Sequence, residues 1–291
     1  MAVFVGCKKE SASRTTSTAT VSLDKIDSDL DKIDAKYCIS SIADKTTQAP
    51  GNPRGWVTAG ADIAAGGTAI SATWSWCATP IGGFFAGLVT VCAAASGSYL
   101  AYKACSISIQ STPTTILNQK AEIIANVDKY AIPNPYNNPY DSLGIQHNEM
   151  VKLLCTYTAD LPLTTNSLIF ASSDLTKNQL IGLSYDSTEI AYNTSGFIIQ
   201  NSNAIGSGNT DILVKYGYGN DAVLYNIFTK FQTGLNSIAD EKTALAYINA
   251  YENYFINTQT NVTAQEQATI LGSFSIAKYS SAMWSDAFSV N

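Results

Sequence analysis

Apolar side chains recur at helical spacing near the start of the chain. The pentapeptide Leu-Asp-Lys-Ile-Asp at 23–27 is repeated at 30–34, so that apolar residues alternate at spacings of three and four. This spacing places them on one stripe of a helix. It predicts an amphipathic helix over 23–46 that packs on its own domain, because two heptads are too few to specify a coiled coil.

The second half of the chain has the same helical period, interrupted by turns. A proline-rich connector at 132–140 and a glycine-rich stretch at 196–219, predicted to be loop and short turns, separate the helical segments. Capping residues mark the predicted helix starts, and the last of them opens a capping box over 263–266. These starts are Asp141 or Ser142, Asp174, Asp221, Asp240 and Thr263. The pattern predicts an all-α helical bundle with long loops over 56–291.

The stretch 56–105 is rich in Ala, Gly, Ser and Thr and carries no charge between Asp62 and Lys103. Small residues recur there at every fourth position, which leaves a groove where a second helix backbone can approach closely. The helix-packing positions are Gly60, Ala64, Gly83, Gly87 and Ala94. We therefore predict a central antiparallel helical hairpin that turns at Pro80.

Two locations are compatible with this hairpin: a lipid bilayer and the interior of the protein. The segment 81–102 would be about 33 Å long as a helix, which is enough to cross a bilayer. Small and hydroxyl side chains gain little from lipid, however, so we favour a hairpin buried by the helices that follow it. Dye leakage from liposomes distinguishes the two, since an inserting hairpin would release dye.

Composition excludes several functions. The net charge is −6 and the sequence pI is near 4.7, so no basic surface is expected for nucleic acid. The single histidine excludes a site that needs two imidazoles. No phosphate-binding loop, zinc-protease motif or nucleophile elbow occurs in the sequence. We expect neither a cofactor nor a metal.

One candidate polar site remains, formed by His147, Asn148 and Glu149 within the first turns of a predicted helix. The imidazole could act as a general base or a metal ligand, or it could simply form hydrogen bonds beside the proline-rich connector. The second interpretation is favoured, because no second histidine supports a metal.

The N-terminus combines an apolar run with Gly6-Cys7, after which charge begins abruptly. This resembles the end of a bacterial lipoprotein signal, in which the cysteine becomes lipidated. The apolar run is too short for a complete signal, so we expect Met1 to lie inside a longer leader. The interval 1–22 is then a lipobox-like start followed by a flexible Ser/Thr-rich tether, and acyl chains on Cys7 would anchor the protein.

Two further motifs carry a resemblance. Residues 138–148 read N-P-Y-D-x-x-G-x-x-H-N, and residues 275–284 read S-x-A-x-Y-S-x-x-x-W. Together with the Gly/Ala-rich stretch, they resemble a lipoprotein-like family of Bacteroidota with a glycine-zipper-like segment. The resemblance implies an exported protein of the cell envelope, and it implies no catalytic residues.

The expected function is a non-enzymatic binding or structural role for a protein anchored by lipid to the outer membrane or cell surface, with another protein or a surface component as its partner. One alternative is a membrane-active, toxin-like protein that inserts 56–105. A weaker alternative is a hydrolase of unfamiliar fold.

Overall fold

The computed structural model describes residues 21–38, 132, 134–157, 211–238 and 241–289. These residues form six helices: α1 Leu23–Tyr37, α2 Asp141–Tyr157, α3 Asp211–Tyr218, α4 Ala222–Asn236, α5 Glu241–Asn257 and α6 Ala264–Ser289. In these ranges the extended backbone forms one parallel bridge, between Val21 and Thr260. The predicted all-α class is confirmed.

Some predicted features lie outside the described residues. They are the lipidation site Cys7 with its tether, the helix start at Asp174, and the hairpin 56–105 with Gly60, Ala64, Gly83, Gly87 and Ala94. Of the helices that the structure describes, none combines the length and the apolar character needed to cross a bilayer.

Local capping begins α4 and α6 as the sequence predicts. The Asp221 carboxylate accepts hydrogen bonds from the backbone N–H groups of Val223 and Leu224, both at 3.0 Å. At the start of α6, the Glu266 N–H donates to Thr263 Oγ1 at 3.1 Å, and the Thr263 N–H donates to the Glu266 carboxylate. Both caps satisfy N–H groups that have no partner within the helix, so both predictions are confirmed.

An aromatic core joins α4, α5 and α6. Phe274 of α6 is fully buried, and among the described residues its ring packs against four others. The ring centroids are 4.9 Å from Phe231, 5.7 Å from Phe228, 5.7 Å from Tyr251 and 6.1 Å from Phe255. Aromatic pairs at these separations add stabilisation beyond their buried area.

Helix α6 is buried on all sides along much of its length. Every residue from 268 to 283 is buried, including serines, a threonine and a lysine. Among the described helices, α2 and α5 make the most extensive contacts with it. Polar groups in such a position must find partners inside the protein.

Helix α1 lies on α4 and α5. Its buried apolar residues are Ile26 and Leu30, whereas Leu23 of the predicted stripe is 45% exposed. The helix covers Leu23–Tyr37 of the predicted 23–46 and ends at Cys38, whose backbone is extended. Just before α1, the backbone of Val21 forms the bridge to Thr260.

The prediction of loop over 196–219 is wrong for 211–218, which forms α3. Val214 and Tyr218 are spaced by four and are both buried, and Tyr218 stacks on Phe228 with a centroid distance of 4.1 Å. Packing against α4 thus stabilises a helix that its glycine content disfavours. The chain turns after Tyr218, where the Gly219 N–H donates to the Lys215 carbonyl at 2.9 Å.

A candidate functional site between α2, α5 and α6

The two sequence motifs meet in the folded protein. The motif at 138–148 forms the end of the proline-rich connector and the start of α2, and the motif at 275–284 lies within α6. Hydrogen bonds join the two at several points, and one residue of α5 completes the group. We call Asn138, Asp141, Glu252, Lys278 and Tyr279 the buried polar cluster.

Lys278 is the centre of this cluster. Its side chain is 0% exposed, and Nζ lies 2.7 Å from Asp141 Oδ1 and 3.2 Å from both carboxylate oxygens of Glu252. A buried ammonium is costly unless acidic partners and hydrogen bonds compensate for its lost hydration. Here the first residue of α2 and a residue of α5 supply that compensation.

Glu252 is also fully buried, and Asn138 orients it. The Asn138 amide donates to Glu252 Oε1 at 2.6 Å and to the Leu271 carbonyl of α6 at 3.0 Å. The Asn138 Oδ1 atom accepts from the Tyr140 N–H at 2.9 Å, which fixes the turn before α2. One asparagine therefore links the connector, α5 and α6.

Asp141 uses both of its carboxylate oxygens. Oδ1 faces Lys278, and Oδ2 accepts a hydrogen bond from the Tyr279 hydroxyl at 2.9 Å. Burial, together with the neighbouring Asp141 carboxylate, raises the pKa of Tyr279 above its usual range, so this hydroxyl remains a donor. The backbone carbonyl of Asp141 also accepts from Ser275 Oγ at 2.9 Å.

Gly144 allows α2 to approach α6 closely. Its N–H donates to Ser275 Oγ at 3.0 Å. A Cβ added at Gly144 would lie 2.2 Å from Tyr279 Cδ2 and 2.6 Å from the Ser275 carbonyl oxygen. A side chain therefore cannot be accommodated here without moving one helix.

The predicted site residues lie beside this cluster. His147 and Asn148 are buried in α2, and His147 Nδ1 is 2.9 Å from Asn148 Oδ1. The Asn148 amide donates to the Tyr279 carbonyl at 3.2 Å. Glu149 is exposed on the other side of the helix. The structure thus brings Asn148 to the α6 interface, buries His147 beside it and leaves Glu149 exposed.

Sequence reasoning did not single out Glu252 and Lys278 as candidates, although a signal was present. Each is a charged residue four positions after a buried apolar residue, Ile248 in α5 and Phe274 in α6. A charge on the apolar stripe of a helix indicates a buried partner of opposite sign.

A second polar contact holds α1 in place. Asp34 Oδ1 accepts hydrogen bonds from the hydroxyls of Tyr247 at 2.9 Å and Tyr251 at 2.6 Å. Burial raises the pKa of Asp34, although the two tyrosine hydrogen bonds act in the opposite direction. At the other end of α1, Lys230 Nζ lies 2.7 Å from Asp27 Oδ1 and 2.5 Å from Asp31 Oδ1.

In the part of the chain that the structure describes, no group of His, Cys, Asp and Glu side chains is arranged to hold a metal ion. Comparison of the chain with protein-family models, with curated proteins and with solved structures gave no match.

Proposed function

We propose that this protein is a lipid-anchored protein of the cell envelope that acts by binding another protein and not by catalysis. Acyl chains on Cys7 attach it to the outer membrane or cell surface, and the folded domain is presented at the end of a polar tether. The domain uses no cofactor and does not bind nucleic acid.

The burial of the Lys278–Glu252 ion pair carries the non-enzymatic part of the proposal. Both side chains are 0% exposed, so no substrate can reach the groups that would be the strongest candidates for acid–base chemistry. Their hydrogen bonds instead hold the start of α2 against α5 and α6. Three residues that the motifs specify, Asn138, Asp141 and Tyr279, contact this pair or each other, so a role in the internal structure of the domain accounts for them.

The anchoring part rests on the sequence before α1 and on the way α1 is attached. The polar interval 8–20 separates Cys7 from Val21, whose backbone forms a bridge to Thr260. Ser22 then caps α1, since its Oγ accepts from the Lys25 N–H at 3.4 Å. Lys230 contacts Asp27 and Asp31, and the two tyrosines of α5 contact Asp34, so this helix is held against α4 and α5.

Metabolic labelling with an alkyne fatty acid tests the anchor in cells that make the protein. We expect the wild type to incorporate label and to partition into detergent, and the Cys7→Ser variant to lose both properties. Cys38→Ser is the matched control, because Cys38 is a free thiol at the end of α1 and should leave labelling unchanged. Labelling that persists in Cys7→Ser, or is absent from the wild type, contradicts the proposal.

A separate experiment tests the absence of catalysis. A fluorophosphonate probe acylates activated serine nucleophiles, so a hydrolase would gain a covalent adduct. We expect the mass spectrum of the purified protein to be unchanged after exposure to the probe, with the heat-denatured protein as the background control. An adduct that forms on one serine of the folded protein alone would support the hydrolase alternative.

A further inference from the structure

The buried polar cluster places an amine directly against a carboxyl group away from water. Lys278 Nζ is 2.7 Å from Asp141 Oδ1. Because a carbon–oxygen bond is about 1.2 Å long, Asp141 Cγ lies within about 4 Å of Nζ. Intramolecular reactions gain effective concentrations of about 10⁵ M or more once the reacting atoms come within about 3–3.5 Å, which is a short further approach for this pair.

We propose that Lys278 and Asp141 become joined by an isopeptide bond in the folded protein, with Glu252 as the residue that transfers the proton. In this reaction Nζ attacks Asp141 Cγ, and the bond from Cγ to Oδ1 breaks. Lysine ammonium and aspartate carboxylate together yield one amide and one water molecule, so atoms and charge balance without an oxidant or a co-reactant.

Each neighbouring group has a position suited to one part of this step. Both Glu252 oxygens lie 3.2 Å from Nζ, so the carboxylate can pass the two protons that the nitrogen loses, one after the other, to the departing oxygen, which leaves as water. The Tyr279 hydroxyl donates to Asp141 Oδ2, where negative charge develops in the tetrahedral intermediate. Asn138 fixes the Glu252 carboxylate through its 2.6 Å hydrogen bond.

The amide removes two of the three charges in this site. The Lys278 ammonium and the Asp141 carboxylate are replaced by a neutral group, and Glu252 keeps the hydrogen bond from Asn138. The side chains of Lys278 and Glu252 are 0% exposed and that of Asp141 is 13% exposed, so bulk water has little access to reverse the reaction.

A second lysine provides an internal control. Lys230 Nζ is 2.7 Å from Asp27 Oδ1 and 2.5 Å from Asp31 Oδ1, so it is as close to a carboxylate as Lys278 is to Asp141. However, the side chains of Asp27 and Asp31 are 42% and 64% exposed. In this exposed setting the ion pair stays hydrated, and we expect no bond to form. Proximity alone therefore does not predict the reaction at Lys230.

Peptide mass spectrometry of the full-length wild-type protein tests the proposal. Trypsin cuts after unmodified lysine, so an intact Lys278 gives separate peptides 130–152, 243–278 and 279–291. The isopeptide bond blocks cleavage at Lys278, and we expect peptide 130–152 to be attached to an uncut peptide 243–291, with the loss of one water molecule. Finding only the separate peptides overturns the proposal.

Variants identify the reacting groups. Lys278→Arg and Asp141→Ala should each abolish the joined peptide, because each removes one of the two reacting groups, and Lys230→Arg should retain it. Glu252→Gln keeps the size of the side chain but cannot accept the proton, so we expect the joined peptide to fall at least tenfold, with circular dichroism confirming a helical fold. If the Glu252→Gln variant forms as much joined peptide as the wild type, Glu252 is not the residue that transfers the proton. If joining releases ammonia instead of water and the bond maps to Asn138, Asp141 is not the reacting residue.

Discussion

At the scale of single residues, the close contact between α2 and α6 depends on the absence of a side chain at Gly144. Alanine is usually about 1 kcal/mol better than glycine in a helix interior. At this position the added methyl group would overlap the Tyr279 ring and the backbone of Ser275. The clash outweighs the helix propensity, because the Ser275 backbone cannot rotate away as a flexible side chain would.

We therefore expect Gly144→Ala to lower the free energy of unfolding by about 1–3 kcal/mol. Urea denaturation followed by circular dichroism measures this change. Ile145→Ala is the matched control, since Ile145 is the next residue of α2 and is 49% exposed. A Gly144→Ala variant as stable as the control would mean that α2 does not approach α6 this closely.

At the scale of elements, two polar contacts that respond oppositely to pH hold α1. Hydrogen bonding to Lys230 lowers the pKa of Asp27, so this contact stabilises docking at neutral pH and is lost as the pH falls below 3.8. Burial raises the pKa of Asp34. The Asp34 contribution is therefore fully present below pH 3.8 and is lost as the pH rises through its folded-state pKa.

The raised pKa of Asp34 predicts how the stability of an Asp34→Asn variant depends on pH. The neutral amide still accepts hydrogen bonds from Tyr247 and Tyr251 but carries no buried charge. We expect the variant to be at least as stable as the wild type at neutral pH, and its relative advantage to shrink as the pH falls toward 3.8. Urea midpoints measured across this pH range test it.

Asp24→Asn is the control for this series, because Asp24 is an exposed carboxyl in the first turn of the same helix. A stability difference between the wild type and Asp34→Asn that grows in acid would contradict the assigned direction.

At the scale of the whole molecule, one aromatic core joins α4, α5 and α6, and α1 is attached to it from outside. Phe274 contacts aromatic rings of both α4 and α5. Its loss would leave a cavity shared by three helices, which the surrounding structure could close only in part.

Phe274→Ala should accordingly lower the free energy of unfolding by about 3–5 kcal/mol. Tyr225→Ala changes an aromatic residue of α4 that is 38% exposed, and we expect it to cost less than about 0.5 kcal/mol. Calorimetry and urea denaturation of the two variants give the comparison. Equal effects at the two positions would show that Phe274 is not central to the core.

The candidate site shows which of its residues a local sequence pattern can predict and which it cannot. The sequence motifs specify Asn138, Asp141 and Tyr279, whereas Lys278 lies at an unspecified position of the second motif. Neither motif reveals that the other is its partner, because Lys278 and Asp141 are 137 positions apart. Glu252 belongs to no motif, and its pairing with Lys278 exists only once α5 lies against α6.

Sequence by itself determined the all-α class, the stripe of α1 and the caps at Asp221 and Thr263. These features depend on neighbours three or four positions away, which the chain brings together whenever it forms a helix. Tertiary structure decided that α6 is buried on all sides, that 211–218 is helical, and that charged residues meet inside the protein. Burial depends on which helices pack together, and packing can stabilise a helix or a buried charge that local preference disfavours.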